Sequence, residues 1–125
     1  CIRSKNTKPE LVFRKALRAK GLTEYRLHPK NISGRPDVYF PSERIAIFIN
    51  GCFWHRCPYC KPSMPKTNKA FWGKKLSANV VRDKKNRTML KNNNIRCIIF
   101  WECQIKKDVR KLVAKLRLKM AAEKP

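Results

Sequence analysis

Ile45-Ala46-Ile47-Phe48-Ile49-Asn50-Gly51-Cys52-Phe53-Trp54-His55-Arg56-Cys57-Pro58-Tyr59-Cys60 joins an unbroken apolar run to a loop dense in thiols and aromatic rings. Ile45 to Ile49 has no polar position to face water, so it reads as a central strand covered on both sides. In the loop, Cys57-x2-Cys60 has the spacing of a metal knuckle, with Cys52 just upstream. Thiolates two residues apart face one ion, and Zn2+ takes four soft ligands as a tetrahedron. Cys103, at the end of a later apolar run, would be the fourth, so the ion would staple the loop to a late strand. Pro58, Pro62 and Pro65 keep the segment irregular. Phe53, Trp54 and His55 lie between those thiols, held out for presentation.

Upstream of this stretch, Thr7-Lys8-Pro9-Glu10 opens a helix: Thr7 caps, Pro9 suits the first turn and Glu10 reaches back. The helix is expected to run to about Lys20 and stop at Gly21. Leu11, Val12, Phe13, Ala16 and Leu17 form its apolar face, with Arg14, Lys15 and Arg18 toward water or phosphate. Short strands follow at 25–28 and 37–40, the second ending at a Pro41-Ser42 turn into the central strand. A second helix is expected from Asn68 to about Lys91, with Trp72, Leu76, Val80 and Leu90 on one face and Asn92-Asn93-Asn94 as its stop. A buried strand over 95–101 contains Phe100 and Trp101 as core residues. A basic amphipathic helix over 107–122 completes an α-β-β-β-α-β-α order, an α/β layout with one mixed sheet.

The chain has 125 residues, enough for one domain. Lys and Arg number 31 against 8 Asp and Glu, a net charge of +23 spread from end to end. A field of that sign draws polyanions. No apolar run approaches the ~20 residues of a spanning helix, and no signal-peptide pattern opens the chain. Membrane attachment is not expected, and nucleic acid is the favoured partner. The chain opens on Cys1 rather than Met, so an N-terminus missing from this sequence or processed away is expected. Six cysteines also allow three disulfides, the pattern of a small secreted cationic protein. A core-sized chain without an export signal favours zinc over that alternative. Cys97, inside an apolar run, reads as a buried inert thiol.

With eight acids in the chain, their placement matters. Asp37 follows Gly34-Arg35-Pro36 and opens a strand, and Pro36 removes a backbone donor beside it. An acid at such an edge either holds a hard cation such as Mg2+ or closes a turn. His55 is one of two histidines; four thiolates already complete a zinc tetrahedron, which leaves its imidazole for proton transfer near neutrality. His28, between Leu27 and Pro29, reads as structural or as a phosphate contact. Trp72 is open to two readings, core packing or surface presentation.

A Pro-Asp pair at a strand start, a hydrophobic hairpin and an upstream helical Glu resemble the restriction-endonuclease-like fold. Gly34-Arg35-Pro36-Asp37, Phe48-Ile49-Asn50-Gly51-Cys52-Phe53-Trp54-His55 and Trp101-Glu102-Cys103 are similar to the very-short-patch-repair (Vsr) DNA mismatch endonucleases. Ser4-Lys5-Asn6-Thr7-Lys8-Pro9-Glu10 and Asn79-Val80-Val81-Arg82-Asp83 match the remaining family signatures.

The resemblance implies a single Vsr-like domain over 1–125: an α-β-β-β-α-β core with one central mixed sheet, flanking helices and a zinc-stapled loop. Asp37 and the Ile49 backbone carbonyl would hold catalytic Mg2+, His55 would move the proton, and Glu10 would anchor hydrated metal. Cys52, Cys57, Cys60 and Cys103 would hold structural Zn2+. Phe53, Trp54 and Trp72 would wedge into the base stack, where unstacking costs least at a mismatch. Asn50, Arg3 and Lys5 would contact DNA.

The implied activity is nicking of one strand of duplex DNA, 5′ to the thymine of a T:G mismatch, by a monomer in the bacterial cytoplasm at the nucleoid. Mismatch-repair proteins are candidate partners. Relatives carry a second histidine where this chain has Asn50; Asn orients a phosphate or water but does not titrate, which counts against a two-histidine mechanism. Relatives also mix His with Cys in the zinc site, whereas this one would be all thiolate. Two other readings stand beside this one: a restriction-like or mobile-element nuclease without mismatch preference, and a non-catalytic zinc-stabilised nucleic-acid binder.

Overall fold

Every residue of Ile45–Asn50 is buried, and this strand, β3, forms the middle of the protein. The computed structural model describes residues 7–122. Before β3 come α1 (Lys8–Ala19), β1 (Arg26–Leu27) and β2 (Val38–Phe40); after it come α2 (Lys69–Asn92), β4 (Arg96–Trp101) and α3 (Glu102–Ala122). The strands order β1-β2-β3-β4. β2 pairs antiparallel with β1 and β3, whereas β3 and β4 run parallel, so the sheet is mixed as expected.

Strand geometry sends alternate side chains to opposite faces, and both faces of β3 are covered. Ile45, Ile47 and Ile49 pack with Phe13 and Leu17 of α1, and with Val113, Leu116 and Met120 of α3. Ala46 and Phe48 pack with Tyr39, Leu90 and Ile95 on the other side. Each fully buried Leu, Ile or Phe contributes about 1.5–3 kcal/mol of transfer free energy.

The parallel register runs from Ile45↔Arg96 to Asn50↔Trp101. Its consequence is that the chain leaves both strands at the same sheet edge, with Cys52 and Cys103 each two residues beyond the last pair. A connection across this pair must return the full strand length, and the loop at 51–68 together with α2 provides it.

Local chemistry sets the helix ends. Gly21, at φ +74°, lets its own amide reach Arg18 O and the Leu22 amide reach Leu17 O, both at 3.0 Å. That double bond pattern with a left-handed glycine closes α1. Thr7, in contrast, makes no side-chain cap bond, and Glu10 does not turn back to it. Leu11 and Val12 are 52% and 39% exposed, so the apolar face of α1 is narrower than expected. Arg14 is buried rather than facing water, 4.0 Å from Glu10.

On α2 the buried positions are Leu76, Asn79 and Leu90, while Val80 stays 41% exposed. The helix is rotated so that a polar residue, not Val80, faces inward. Phe100 is buried as expected, whereas Trp101 is only half-buried. Helical structure also begins earlier than residue 107. It follows β4 directly and is interrupted at Asp108 (φ −163°, ψ 85°), whose carboxylate accepts the Lys111 amide at 3.2 Å. Asp108 thus caps the second segment, and the expected helix is that segment.

Leu17 is fully buried and Leu11 is half exposed on the same helix. Leu17→Ala is therefore expected to lower unfolding free energy by about 2–5 kcal/mol, and Leu11→Ala by less than about 0.5 kcal/mol. Urea unfolding midpoints at constant m-value check both.

Candidate active site and thiol cluster

Beyond the end of β3 the backbone turns sharply: the Cys57 amide reaches Cys52 O at 2.9 Å and the His55 amide reaches Gly51 O at 3.2 Å. These turns gather Cys52, Cys57 and Cys60, and the β3–β4 register delivers Cys103 to them. The four sulfurs all lie within 4.8 Å of one another, with Cys57 and Cys103 at 3.7 Å. A zinc tetrahedron with Zn–S of about 2.3 Å has S···S edges of about 3.8 Å, so the donor set and its spacing fit such an ion. A disulfide needs about 2.05 Å, and Cys52, Cys57, Cys60, Cys97 and Cys103 are all free thiols. The disulfide alternative is thereby set aside for the described residues; Cys1 lies outside them.

Burial pushes the Cys52 and Cys103 thiols above their ordinary range. Burial acts on Cys57 too, but it is outweighed by the Cys60 and Tyr59 amides and the neighbouring thiols, which hold Cys57 below its ordinary value. Of Cys52, Cys57 and Cys103, Cys57 is the one whose surroundings favour the thiolate. The Cys103 amide points to Cys52 Sγ at 3.4 Å, and the Cys52 amide donates to Glu102 Oε1 at 3.4 Å. Trp101-Glu102-Cys103 and the thiol loop are therefore tied by direct bonds. Cys97 lies apart and half-buried, its thiol raised to about 11 by burial, consistent with an inert role.

The acidic residues assemble on the other side of β3. Asp37 is 1% exposed. Its Oδ2 accepts the Ile49 amide at 2.6 Å, so Ile49 meets Asp37 through its N–H. Asp37 Oδ1 lies 3.6 Å from His28 Nε2, and the same nitrogen is 3.1 Å from Glu10 Oε2. Glu10, His28 and Asp37 thus have ligand atoms mutually within 4.8 Å. Two carboxylate oxygens in such reach fit a small hard cation. His28, which the sequence presents as structural or as a phosphate contact, meets both acids here. Its signal was faint: one of two histidines, placed where a strand meets a proline.

A cleft of about 510 Å3 opens beside this cluster. Glu10 and Ile49 line it, and so do Asn50, Trp54, His55 and Asp83, with Arg35, Arg82 and Arg87 supplying positive charge. Asp37 and His28 are not on its wall; Glu10 and Ile49 link cleft and acid cluster. His55 Nδ1 is 2.5 Å from Asp83 Oδ2 of α2, a pairing that fixes the ring and directs Nε2 away from the carboxylate. Asn79, buried on α2, donates to the Trp54 carbonyl at 3.2 Å and ties α2 to the loop.

Phe53, Trp54 and Trp72 form a half-buried ring trio, with centroids 5.1 to 5.7 Å apart. Phe71 joins through Trp72 at 5.3 Å and is itself exposed. Lys75 stands over Trp54 and Phe71, and Arg56 over Phe53. Cationic heads over half-exposed rings suit a polyanion that also offers flat bases. The structure thus brings Glu10 to Asp37, His55 to the cleft and the rings to one patch, and gathers the thiols separately. Arg3 and Lys5 lie outside the described residues. None of the described helices is long and apolar enough to cross a membrane.

Residues 1–61 match the family model for DNA mismatch endonuclease Vsr. The type II nicking enzyme V.XorIIP of Xanthomonas oryzae pv. oryzae is 38% identical over 116 residues, covering 93% of this chain and 84% of the relative. The type II nicking enzyme V.NmeAIP of Neisseria meningitidis serogroup A is 40% identical over 105 residues, covering 84% and 74%. The DNA mismatch endonuclease Vsr of Escherichia coli K12 is 32% identical over 105 residues, covering 84% and 67%. A non-catalytic binder is not what these likenesses describe. With its mixed-sheet fold and the motifs on either side of β3, this chain belongs to the Vsr family of DNA endonucleases.

Proposed function

We propose that this endonuclease nicks one strand of duplex DNA on the 5′ side of the thymine in a T:G mismatch, using Mg2+ for catalysis and Zn2+ for structure. The observation that carries the reading is the position of Glu10. It belongs at once to the cleft wall and to the buried cluster with Asp37. An open, arginine-lined groove therefore meets buried carboxylates at one point. The relative named a DNA mismatch endonuclease supports the mismatch substrate. We take residues 1–125 as one domain acting as a monomer.

Asp37 and Glu10 would hold the catalytic cation, with the Ile49 carbonyl beside them. That cation supplies a Lewis acid for the phosphate and a lowered pKa for the attacking water. The Ile49 amide pins Asp37 Oδ2, which fixes the direction of Oδ1. His55, held by Asp83 through Nδ1, presents Nε2 to the cleft, where it takes the proton from water or delivers one to the leaving oxygen. Asn50, Arg82 and Arg87 orient the phosphate backbone. Phe53, Trp54 and Trp72 enter the stack at the mispair, where the lost stacking is least. The basic surface adds affinity that is independent of sequence and falls with salt. Cys52, Cys57, Cys60 and Cys103 keep the ring-bearing loop folded.

End-labelled T:G and T:A duplexes with Mg2+ or EDTA test the reading on one gel. Nicking is expected for T:G with Mg2+ alone. Asp37→Ala is expected to abolish it, and His55→Ala to slow it by about 10²–10⁴-fold. Equal cutting of T:G and T:A identifies a nuclease without mismatch preference, and an active Asp37→Ala removes the assigned cation seat.

Trp54→Ala is expected to weaken T:G duplex binding by about 1–3 kcal/mol, measured by fluorescence anisotropy in EDTA. Metal analysis is expected to find one zinc per chain. Acidification is expected to release it, because protons compete for all four sulfurs. Cys57→Ser is expected to lose the ion and lower the melting temperature.

A further inference from the structure

We infer that His28 is a third ligand of the catalytic cation, an imidazole nitrogen completing the Glu10–Asp37 pair and letting Mn2+ take the place of Mg2+ with raised affinity. The inference rests on the reading of Asp37 as the cation's seat and adds a residue to it.

The geometry points to a ligand rather than to a plain hydrogen bond. Nε2 of His28 faces two carboxylates at once, 3.1 Å from Glu10 and 3.6 Å from Asp37. The first distance is that of a hydrogen bond to Glu10, and the second sets the same nitrogen against a second carboxylate, the arrangement of donors around one ion. For ligands about 2.1–2.2 Å from a common ion, neighbouring donors are about 3.0 Å apart in an octahedron and about 3.5 Å apart in a tetrahedron. Both observed separations fall on that scale. All three side chains are largely shielded, with 14% of the His28 side chain exposed against 4% and 1% for Glu10 and Asp37. The Ile49 amide fastens the other Asp37 oxygen, Oδ2, so that Oδ1 is the one turned to the imidazole.

The backbone of His28 supplies a second observation. Its φ is +45°, in the left-handed region, immediately before Pro29. A proline disfavours helical backbone at the residue before it. A non-glycine residue held there costs about 1–3 kcal/mol and persists when the surrounding structure holds it. What that conformation achieves is the meeting of a strand-end imidazole with Glu10 on α1 and Asp37 at the start of β2.

Donor chemistry then sets the cation. Carboxylates alone suit Mg2+, whereas a nitrogen donor raises the relative affinity for Mn2+ and the later first-row ions.

Mn2+ is the probe, added to the whole protein with the T:G duplex and read by pulsed electron paramagnetic resonance. A coordinated ¹⁴N is expected in the unmutated protein and in His55→Gln, and is expected to vanish in His28→Gln. Mn2+ affinity is expected to fall at least about tenfold in His28→Gln, with its far-ultraviolet circular dichroism and its duplex binding in EDTA unchanged. If His28→Gln does not fold, ¹⁵N spectra of the unmutated protein decide: Mn2+ must broaden His28 Nε2 before His55 Nε2.

Mn2+ that is lost in Asp37→Asn yet shows no nitrogen coupling overturns the inference, and His28 then positions Glu10. Mn2+ binding untouched by Asp37→Asn removes the Asp37 seat itself, and the inference goes with it.

Discussion

The parallel pairing of β3 with β4 is the constraint on which the rest of the molecule depends. Its register, Ile45↔Arg96 through Asn50↔Trp101, ends both strands together and so places Cys52 beside Cys103 across 51 residues of chain. The same strand holds the Ile49 amide that fastens Asp37. A slip of one residue would turn Ile45, Ile47 and Ile49 out of the main core and break both arrangements. The register is held because every side chain of β3 is buried: Ala46 and Phe48 pack on one face, and the isoleucines pack on the other.

Charge is distributed with the opposite logic. Lysines and arginines cover the surface for a net charge of +23, yet two of the few acids, Glu10 and Asp37, are buried together. Arg14 stands 4.0 Å from Glu10. A charge removed from water must be paired or bound to a metal, and the buried acid pair meets that demand with His28 and Arg14 beside it. The helix that returns the chain from β3 to β4 is polar on most sides, and its inward face offers Leu76, Asn79 and Leu90. That face also carries Asp83 to His55 and Asn79 to the Trp54 carbonyl, so α2 works as a brace for the loop as much as a cover for the sheet.

Much of this was legible in the residues. The unbroken Ile45–Ile49 run announced a doubly covered strand, and the Cys57-x2-Cys60 spacing announced a thiol cluster. The errors cluster where burial depends on a partner far along the chain. Arg14 reads as exposed from helical periodicity, but it is buried 4.0 Å from Glu10. Val80 reads as core, but rotation of α2 buries Asn79 for the sake of the Trp54 carbonyl. Helical structure starts ahead of residue 107 because Asp108 caps only a second segment, and in the first the Trp101 amide donates to Gln104 Oε1 at 3.0 Å. That His28 meets Glu10 and Asp37 is not legible in its neighbours, Leu27 and Pro29.

What the chain of residues determined alone is the inventory: a buried strand, a thiol loop, flat rings, a basic surface and an acid beside a fixed proline turn. Composition and short spacing encode these, because each rests on residues within a few positions of one another. Tertiary structure alone decided who meets whom. Cys103 reaches Cys52, Asp83 orients His55, and His28 faces both Glu10 and Asp37 only after the sheet register and helix rotation are set. Those meetings are contacts between distant segments, and their geometry follows from packing both faces of β3 rather than from any local preference.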